Sequence, residues 1–314
     1  LNGDFIYPAI GECSLIEGLS PDPMTGYEAK LNELCDWLNE KAEAKPDLSN
    51  YPSIAFGLEI FLADLQAKGS KIFNSSAFTR GEDAMLINGL VWMGEPSFMM
   101  AQIQEKITLG FSCVKMKIGA IDFQEELNIL KQIRNQFGNE LELRVDANGA
   151  FSAEKALGKL EALSAFNIHS IEQPIKPKQW DAMANLCRES PIPIALDEEL
   201  ISVTDMEVKI DLLETIQPKY IILKPSLVGG LQASDEWIKL AEERSIAWWM
   251  TSALESNVGL NSITQFTYSK NVSLPQGLGT GSLYLNNFES PLYILGEMIK
   301  FDPDNSWKLN NLLL

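Results

Sequence analysis

From about residue 88 onward, short β-type runs alternate with amphipathic helical stretches on a beat of about 25–30 residues, the length of one strand–helix unit. The runs occupy 90–94, 113–119, 142–148, 170–173, 193–198, 220–225, 247–252 and, more weakly, 273–278. Helical patterns at 122–137, 153–166 and 231–244 lie between them. A strand that returns through a helix pairs with its predecessor in parallel, so the beat predicts an α/β chain of βαβ units. Eight runs favour closure into a TIM-type barrel, with an open doubly wound sheet as the alternative. The 314 residues suit a barrel of about 200–250 residues plus a smaller domain.

Residues 1–85 lack the beat. Asn2-Gly3 suits a hairpin turn, 7–14 read as a strand, and 27–41 and 53–68 are helical by apolar spacing. They predict an α+β capping domain over 1–85 ahead of a catalytic barrel over 86–282. The segment 283–314 is expected to return to the capping domain through Leu292-Tyr293-Ile294-Leu295 and Trp307. The numbering opens on Leu1, so the capping domain is expected to be truncated at its start. A signal peptide is not expected, because Leu1-Asn2-Gly3-Asp4 is no basic leader. No apolar run reaches the about 20 residues that span a bilayer. Forty-three acidic against 25 basic residues give a net charge of −18, which repels nucleic acid and anionic membranes and predicts neither as a partner. Cysteines 13, 35, 113 and 187 form no C-x-x-C pair and read as reduced, mostly buried thiols of a cytoplasmic protein. The oligomeric state is left open.

Three acids close successive strands. Asp146 stands in Arg144-Val145-Asp146-Ala147-Asn148-Gly149, Glu172 in Ser170-Ile171-Glu172-Gln173-Pro174, and Asp197 in Ile194-Ala195-Leu196-Asp197-Glu198-Glu199. They lie one strand–helix unit apart, so a barrel brings them to the mouth where barrel active sites lie. Clustered carboxylates repel unless neutralised, and Mg²⁺ does so with oxygen ligands and places left for water and substrate. Glu198 and Glu199 compete with Asp197 for this role. In Val114-Lys115-Met116-Lys117-Ile118 the lysines alternate with apolar residues, so both point into the barrel. Charge is costly there unless paired or at work, and a lysine tuned by its neighbours can serve as a general base. A salt-bridged structural pair is the alternative. Lys224, in Leu223-Lys224-Pro225, faces them across the mouth. A base, a cation and a metal between them suit removal of a proton beside a carboxylate. His169, the only histidine, precedes the Glu172 strand at the wrong end, which leaves proton transfer to lysine. Val228-Gly229-Gly230 and 277–282 offer either amides for a carboxylate or tight turns, and neither fits a nucleotide fingerprint. Trp248-Trp249 reads as barrel packing.

Together the motifs K-x-K, D-x-N, I-E-Q-P, D-E and L-K-P resemble the enolase superfamily, muconate-lactonizing subgroup, over nearly the whole chain. The resemblance implies a modified (β/α)8 barrel of (β/α)7β form under a capping domain. It implies Mg²⁺, with Mn²⁺ as a substitute, on Asp146, Glu172 and Asp197. Lys117 and Lys224 become the acid/base pair, with Lys115 supporting Lys117. Within the subgroup, Gly11-Glu12-Cys13-Ser14, Gly18-Leu19-Ser20-Pro21-Asp22, Ile87-Asn88-Gly89-Leu90-Val91 and Ser252-Ala253-Leu254-Glu255-Ser256 are similar to the o-succinylbenzoate synthases. These lyases of menaquinone biosynthesis dehydrate 2-succinyl-6-hydroxy-2,4-cyclohexadiene-1-carboxylate through a metal-stabilised enediolate. The likeness implies a small-molecule carboxylate substrate, a mobile lid over 18–26, and substrate contacts at Ser20, Asn148, Ser226, Gly230 and Ser256. Elimination in that family is syn, so Lys117 would take the α-proton and return it to the departing hydroxyl while Lys224 stays a cation. The nearer rivals are N-acylamino acid racemases and dipeptide epimerases of the same fold. The epimerases carry an Asp-x-Asp at the end of the eighth strand, whereas 273–286 contain no acid here. A non-catalytic binding barrel is the farther rival, and buried charges that cost stability argue against it.

Overall fold

The structure, a computed structural model, describes residues 9–309. Seven strands form one parallel sheet in sequence order: β2 (Gly89–Val91), β3 (Cys113–Lys117), β4 (Glu142–Asp146), β5 (Ser170–Glu172), β6 (Ile194–Leu196), β7 (Tyr220–Leu223) and β8 (Ala247–Met250). Helices separate them: α3 (Pro96–Thr108), α4 (Phe123–Phe137), α5 (Ala153–Ser164), α6 (Trp180–Glu189), α7 (Met206–Ile216), then α8 (Pro225–Val228) and α9 (Leu231–Glu243), with α10 (Asn257–Tyr268) after β8. The weak eighth run survives as Gln276 and Gly277, which bridge Ile87 and Thr251. Gln276 N–H donates to Leu86 O (2.9 Å) and Gly277 N–H to Met250 O (2.8 Å), so this two-residue stitch ties the first barrel strand to the last. It stays short because Pro275 has no N–H to give and glycines follow at 277 and 279.

Alternation sorts the side chains. Val114 and Met116 of β3 are fully buried in the layer under the helices, while Lys115 lies on the opposite face. Inside the barrel, Ala195, Ile222 and Trp249 pack into an apolar floor, with the Arg144 guanidinium 4.4 Å from the Trp249 ring centre. Trp249 therefore belongs to the packing, as its sequence context suggests. His169 lies below that floor, stacked on Tyr220 at 5.1 Å, and burial lowers its pKa.

Ahead of the barrel, α1 (Tyr27–Leu38) and α2 (Pro52–Gln66) form a helical layer, and α2 packs on α8. The hairpin expected at Asn2-Gly3 lies outside the described residues. The strand expected over 7–14 is not found in its described part, 9–14, which runs irregularly along α2. A Cβ at Gly11 would strike the Gly57 carbonyl, so the chain there lies too close to α2 for a sheet partner to intervene. The segment after residue 282 forms β9 (Leu292–Leu295) and β10 (Met298–Phe301), which pair antiparallel with each other and with β1 (Met85–Leu86) in the order β1-β10-β9. All four cysteines are free thiols, but only Cys113 is buried; Cys13 and Cys187 are half-buried and Cys35 is exposed. Surface helix positions, not core ones, carry Cys35 and Cys187.

Candidate active site

Register brings the charged residues together. Lys117 pairs with Asp146 across β3 and β4, and Asp146 with Glu172 across β4 and β5. Asp197 follows β6 directly and Lys224 follows β7. Asn148 and Gln173 hold positive φ, 43° and 38°, where each chain leaves its strand. Such backbone costs about 1–3 kcal/mol and persists only when held from several sides. Gln173 is so held: its Oε1 accepts from Asp197 N and Glu199 N, and its Nε2 donates to Ile175 O (3.0 Å). Gln173 thereby locks the ends of β5 and β6 in one arrangement.

The carboxylates are nearly sealed from solvent: Asp146 is 1% exposed, Glu172 2% and Asp197 2%. Lys115 Nζ donates to Glu172 Oε2 at 2.7 Å and to Asp146 Oδ2 at 3.3 Å. Lys117 Nζ donates to Asp146 Oδ2 at 3.0 Å and to Asn148 Oδ1 at 2.6 Å, while Lys224 donates to Asp197. Burial works against the Lys115 ammonium, but Glu172 and Asp146 outweigh it and raise its pKa. Lys224 is raised in the same way, by Asp197, Glu172 and Glu198. Asp146 is pushed up by burial, yet Lys115, Lys117 and Lys224 prevail and hold it below the ordinary aspartate range. Glu172 has less compensation: burial and then the Asp146 charge push it up to about 8 despite Lys115. Burial also raises Asp197 and Glu198.

The three acids share one mouth, but among the described residues no group of three or more His, Cys, Asp or Glu side chains stands close enough to hold a metal. The expected convergence about one point is thus not met, for a physical reason. Lys115 sits between Asp146 and Glu172, and Lys224 covers Asp197, so ammonium groups supply the neutralising charge. The donor set still suits a hard dication. It is all oxygen, it is buried, and Glu172 Oε1 and Glu198 Oε2 are buried oxygens without a hydrogen-bond partner. Glu199 leaves the competition, since Gln173 Nε2 and Lys178 N donate to it. Glu198 stays near, bound by Asn148 Nδ2 at 2.8 Å.

Above these groups lies a cavity of about 180 Å³, walled by Lys117, Lys224, Trp92, Leu254 and, from the capping segment, Ile16 and Leu19. A larger cavity of about 470 Å³ opens beside α3 and β9 but contains none of the acids or lysines named above. Chemistry, not volume, makes the smaller one the site. Its roof is narrower than the lid expected over 18–26: residues 16 and 19 reach in, whereas Asp22 is already bound to α2, accepting from Ser53 N (3.1 Å) and Ser53 Oγ (2.7 Å). On the other side of the roof, Glu12 accepts from Ser256 N (2.7 Å), Ser256 Oγ (2.6 Å) and Gly259 N (2.7 Å) at the start of α10. Carboxylates at two helix N-termini therefore tether the roof at both ends, an arrangement the helix dipoles favour.

Of the candidate substrate contacts, Asn148 lines the cavity. The others are engaged within the protein. Ser20 Oγ accepts from Ile16 N within the roof turn, Ser226 Oγ donates to the buried Glu255, and Ser256 Oγ donates to Glu12. Gly230 (φ 106°) donates its N–H to Pro225 O at 2.8 Å, and a side chain there would strike Glu59, whose carboxylate accepts the adjoining Leu231 N–H. At the other glycine-rich piece, Gly277, Gly279 and Thr280 do line the cavity. Asn88 and Leu254, which the sequence showed only as parts of family-like motifs, line it too, as does Trp92, which sequence reasoning did not single out.

A parallel barrel with lysines on β3 and directly after β7, and acids at the ends of β4, β5 and β6 between them, defines a class of carbon-acid enzymes. Residues 99–289 match the family described as enolase C-terminal domain-like, and the chain belongs to that family. Among curated proteins it is similar to the o-succinylbenzoate synthase of Desulfotalea psychrophila, at 45% identity over 92% of this chain and 87% of the relative. The crystal structure of MenC from Desulfotalea psychrophila LSv54 superposes with a TM-score of 0.85 and 43% identity, covering 92% of this chain and 90% of that one. A more distant likeness is the N-succinyl-L-Arg/Lys racemase of Bacillus cereus, 27% identical over 57% of this chain and 48% of that protein.

Proposed function

We propose that the chain dehydrates 2-succinyl-6-hydroxy-2,4-cyclohexadiene-1-carboxylate to o-succinylbenzoate, a step of menaquinone biosynthesis. The observation that supports the reading is one cavity lined by Lys115, Lys117, Asp146 and Lys224, with Glu172 and Asp197 ion-paired to those lysines beneath it, in a chain so similar to a named o-succinylbenzoate synthase. Asp146, Glu172 and Asp197 would hold Mg²⁺, the metal that members of this superfamily generally use. Bound there, the dication would supply positive charge to the substrate carboxylate and to the enediolate formed as the α-proton leaves.

The remaining work falls to side chains. Lys117 is the most exposed of the three lysines, with 23% of its side chain accessible, and it lines the cavity. It takes the proton from the carbon beside the carboxylate and returns it to the departing hydroxyl as water forms. Asn148 orients it through the 2.6 Å hydrogen bond. Lys224, held as an ammonium by Asp197 and its neighbours, has no proton to move and stabilises the developing anion across the cavity. Lys115 holds Asp146 charged and, by its ion pairs, keeps Asp146 and Glu172 close beside Lys117. Ile16 and Leu19 cover the cavity and keep water from the reactive intermediate.

Incubation of the purified chain and Mg²⁺ with the cyclohexadiene, and separately with N-succinylamino acids, tests the reading. Rapid appearance of the aromatic product is expected. Racemisation without dehydration would favour the racemase reading instead. A cationic dipeptide is disfavoured, because the 277–280 stretch of the cavity wall offers no acid to its ammonium.

A further inference from the structure

Most polar side chains of the cavity are already satisfied. Thr251 Oγ1 donates to Gly277 O at 2.9 Å, Ser252 Oγ donates to Glu255 Oε2 at 2.6 Å, and Asn148 is held between Lys117 and Glu198. Two atoms differ. Asn88 Oδ1 and Thr280 Oγ1 are buried and have no hydrogen-bond partner among the described residues, although Asn88 is only 4% exposed and Thr280 5%. Both residues line the catalytic cavity. Asn88 lies just before β2, which pairs with the strand that carries Lys117, and Thr280 lies just past the barrel stitch. Buried polar groups are rarely left unpaired, because each one so left costs stability. The pair is uncharged, and the one side-chain hydrogen bond found for Asn88 runs from its Nδ2 to the neighbouring Gly89 O at 3.4 Å.

We infer that Asn88 and Thr280 form an uncharged subsite that reads the two substituents flanking the reacting carbon, an inference that rests on the proposed substrate. That dianion has two carboxylates and a ketone, all acceptors, and one donor, the ring hydroxyl. Asn88 Oδ1, an acceptor, can be met only by that hydroxyl. Thr280 Oγ1 then donates to a carbonyl or carboxylate oxygen of the succinyl arm. The hydroxyl oxygen keeps lone pairs free for the proton that Lys117 returns, so the contact orients the leaving group without competing for it. Asn88 and Thr280 are thus substrate-recognition residues for opposite sides of the ring.

The product retains the arm but has lost the hydroxyl, and this separates the two roles. Thr280→Val is expected to weaken both substrate and o-succinylbenzoate by about tenfold, read as KM and as product affinity by calorimetry, with Thr280→Ser close to wild type. Asn88→Leu is expected to lower kcat/KM by about tenfold and leave product affinity within about twofold. Because Thr280→Val removes an unpaired hydroxyl, its Tm without ligand should equal or exceed that of wild type. A merely structural threonine would give the reverse, a lower Tm with unchanged KM, and would overturn the inference. So would loss of product affinity in Asn88→Leu. A wild-type chain inert to the cyclohexadiene and blind to the product would defeat the substrate reading. A ligand-free Tm in Thr280→Val more than about 3 °C below wild type would then defeat the subsite separately.

Discussion

Replacing Lys224 by methionine separates the cost of holding charge from its use. The substitution removes the ammonium from Asp197 but keeps most of the chain length. Asp197 is only 2% exposed, so the free variant buries an acid without its main counter-charge. Breaking a buried pair from one side costs about 3–5 kcal/mol, a large share of the about 5–15 kcal/mol that stabilises a typical domain. Asp197 recovers part of that by taking up a proton, in line with its raised pKa. Added Mg²⁺ would replace the missing charge, so the rise in Tm on adding Mg²⁺ should be larger in Lys224→Met than in wild type. Lys224 and a dication compete for the same Asp197 oxygens, and the variant should therefore bind Mg²⁺ at least as tightly. Turnover responds in the opposite direction. Losing one preorganised charge opposite a developing anion costs about 2.7–4 kcal/mol, or about 10²–10³ in kcat, with KM little changed. Thermal unfolding in chelator and in Mg²⁺, together with kinetics at saturating Mg²⁺, reads all of these quantities. Wild-type kcat in the variant, or a marked loss of Mg²⁺ affinity, would refute the reasoning.

Other consequences can be measured independently. Glu172 is pushed to about 8 in the metal-free protein, so below that pH it holds a proton that Mg²⁺ must displace; the proton stabilises the free form, and that advantage fades as pH rises through about 8. The Tm gain produced by saturating Mg²⁺ should accordingly grow between about pH 6 and pH 8 and level off above, and a gain that shrinks over this range contradicts the assignment of Glu172. Leu19→Ala trims the roof at a half-buried position and should raise KM about tenfold while Tm barely moves; kinetics identical to wild type would show that the roof does not touch substrate. Glu12→Ala removes three hydrogen bonds at the start of α10 and should cost about 1–3 kcal/mol, read as a Tm lower by several degrees. An unchanged Tm would mean that the tether carries no load.

The barrel was legible because its signal is local and repeated: seven of the eight expected runs are strands, and alternation within Cys113–Lys117 already separates the lysines from the apolar face. The acids were legible for the same reason, since a strand end is a place on the sequence as well as in space. What could not be read is contact between distant segments. Glu12 meets Ser256, 244 residues away, and no local pattern announces that it plugs a helix rather than touching substrate. Ser226 and Gly230 follow the Lys224 strand and so promised a substrate pocket, yet the neighbouring Glu255 and Glu59 claim them. The β9–β10 hairpin did leave a local mark, Gly296 with φ 61° between two apolar runs, which its chain position after the barrel obscured. The lysines inserted among the acids follow from electrostatics alone: six charged groups packed at one mouth pair with whatever opposite charge is nearest.

The most direct test of the division of labour is Lys117→Ala, assayed with the cyclohexadiene in ordinary water and with both enantiomers of an N-succinylamino acid in deuterated water. With Lys117 as the base, dehydration disappears, and exchange of the α-proton on its face of the cavity disappears with it, while Mg²⁺ still raises the Tm. Dehydration at near the wild-type rate would contradict the assignment of roles at this site.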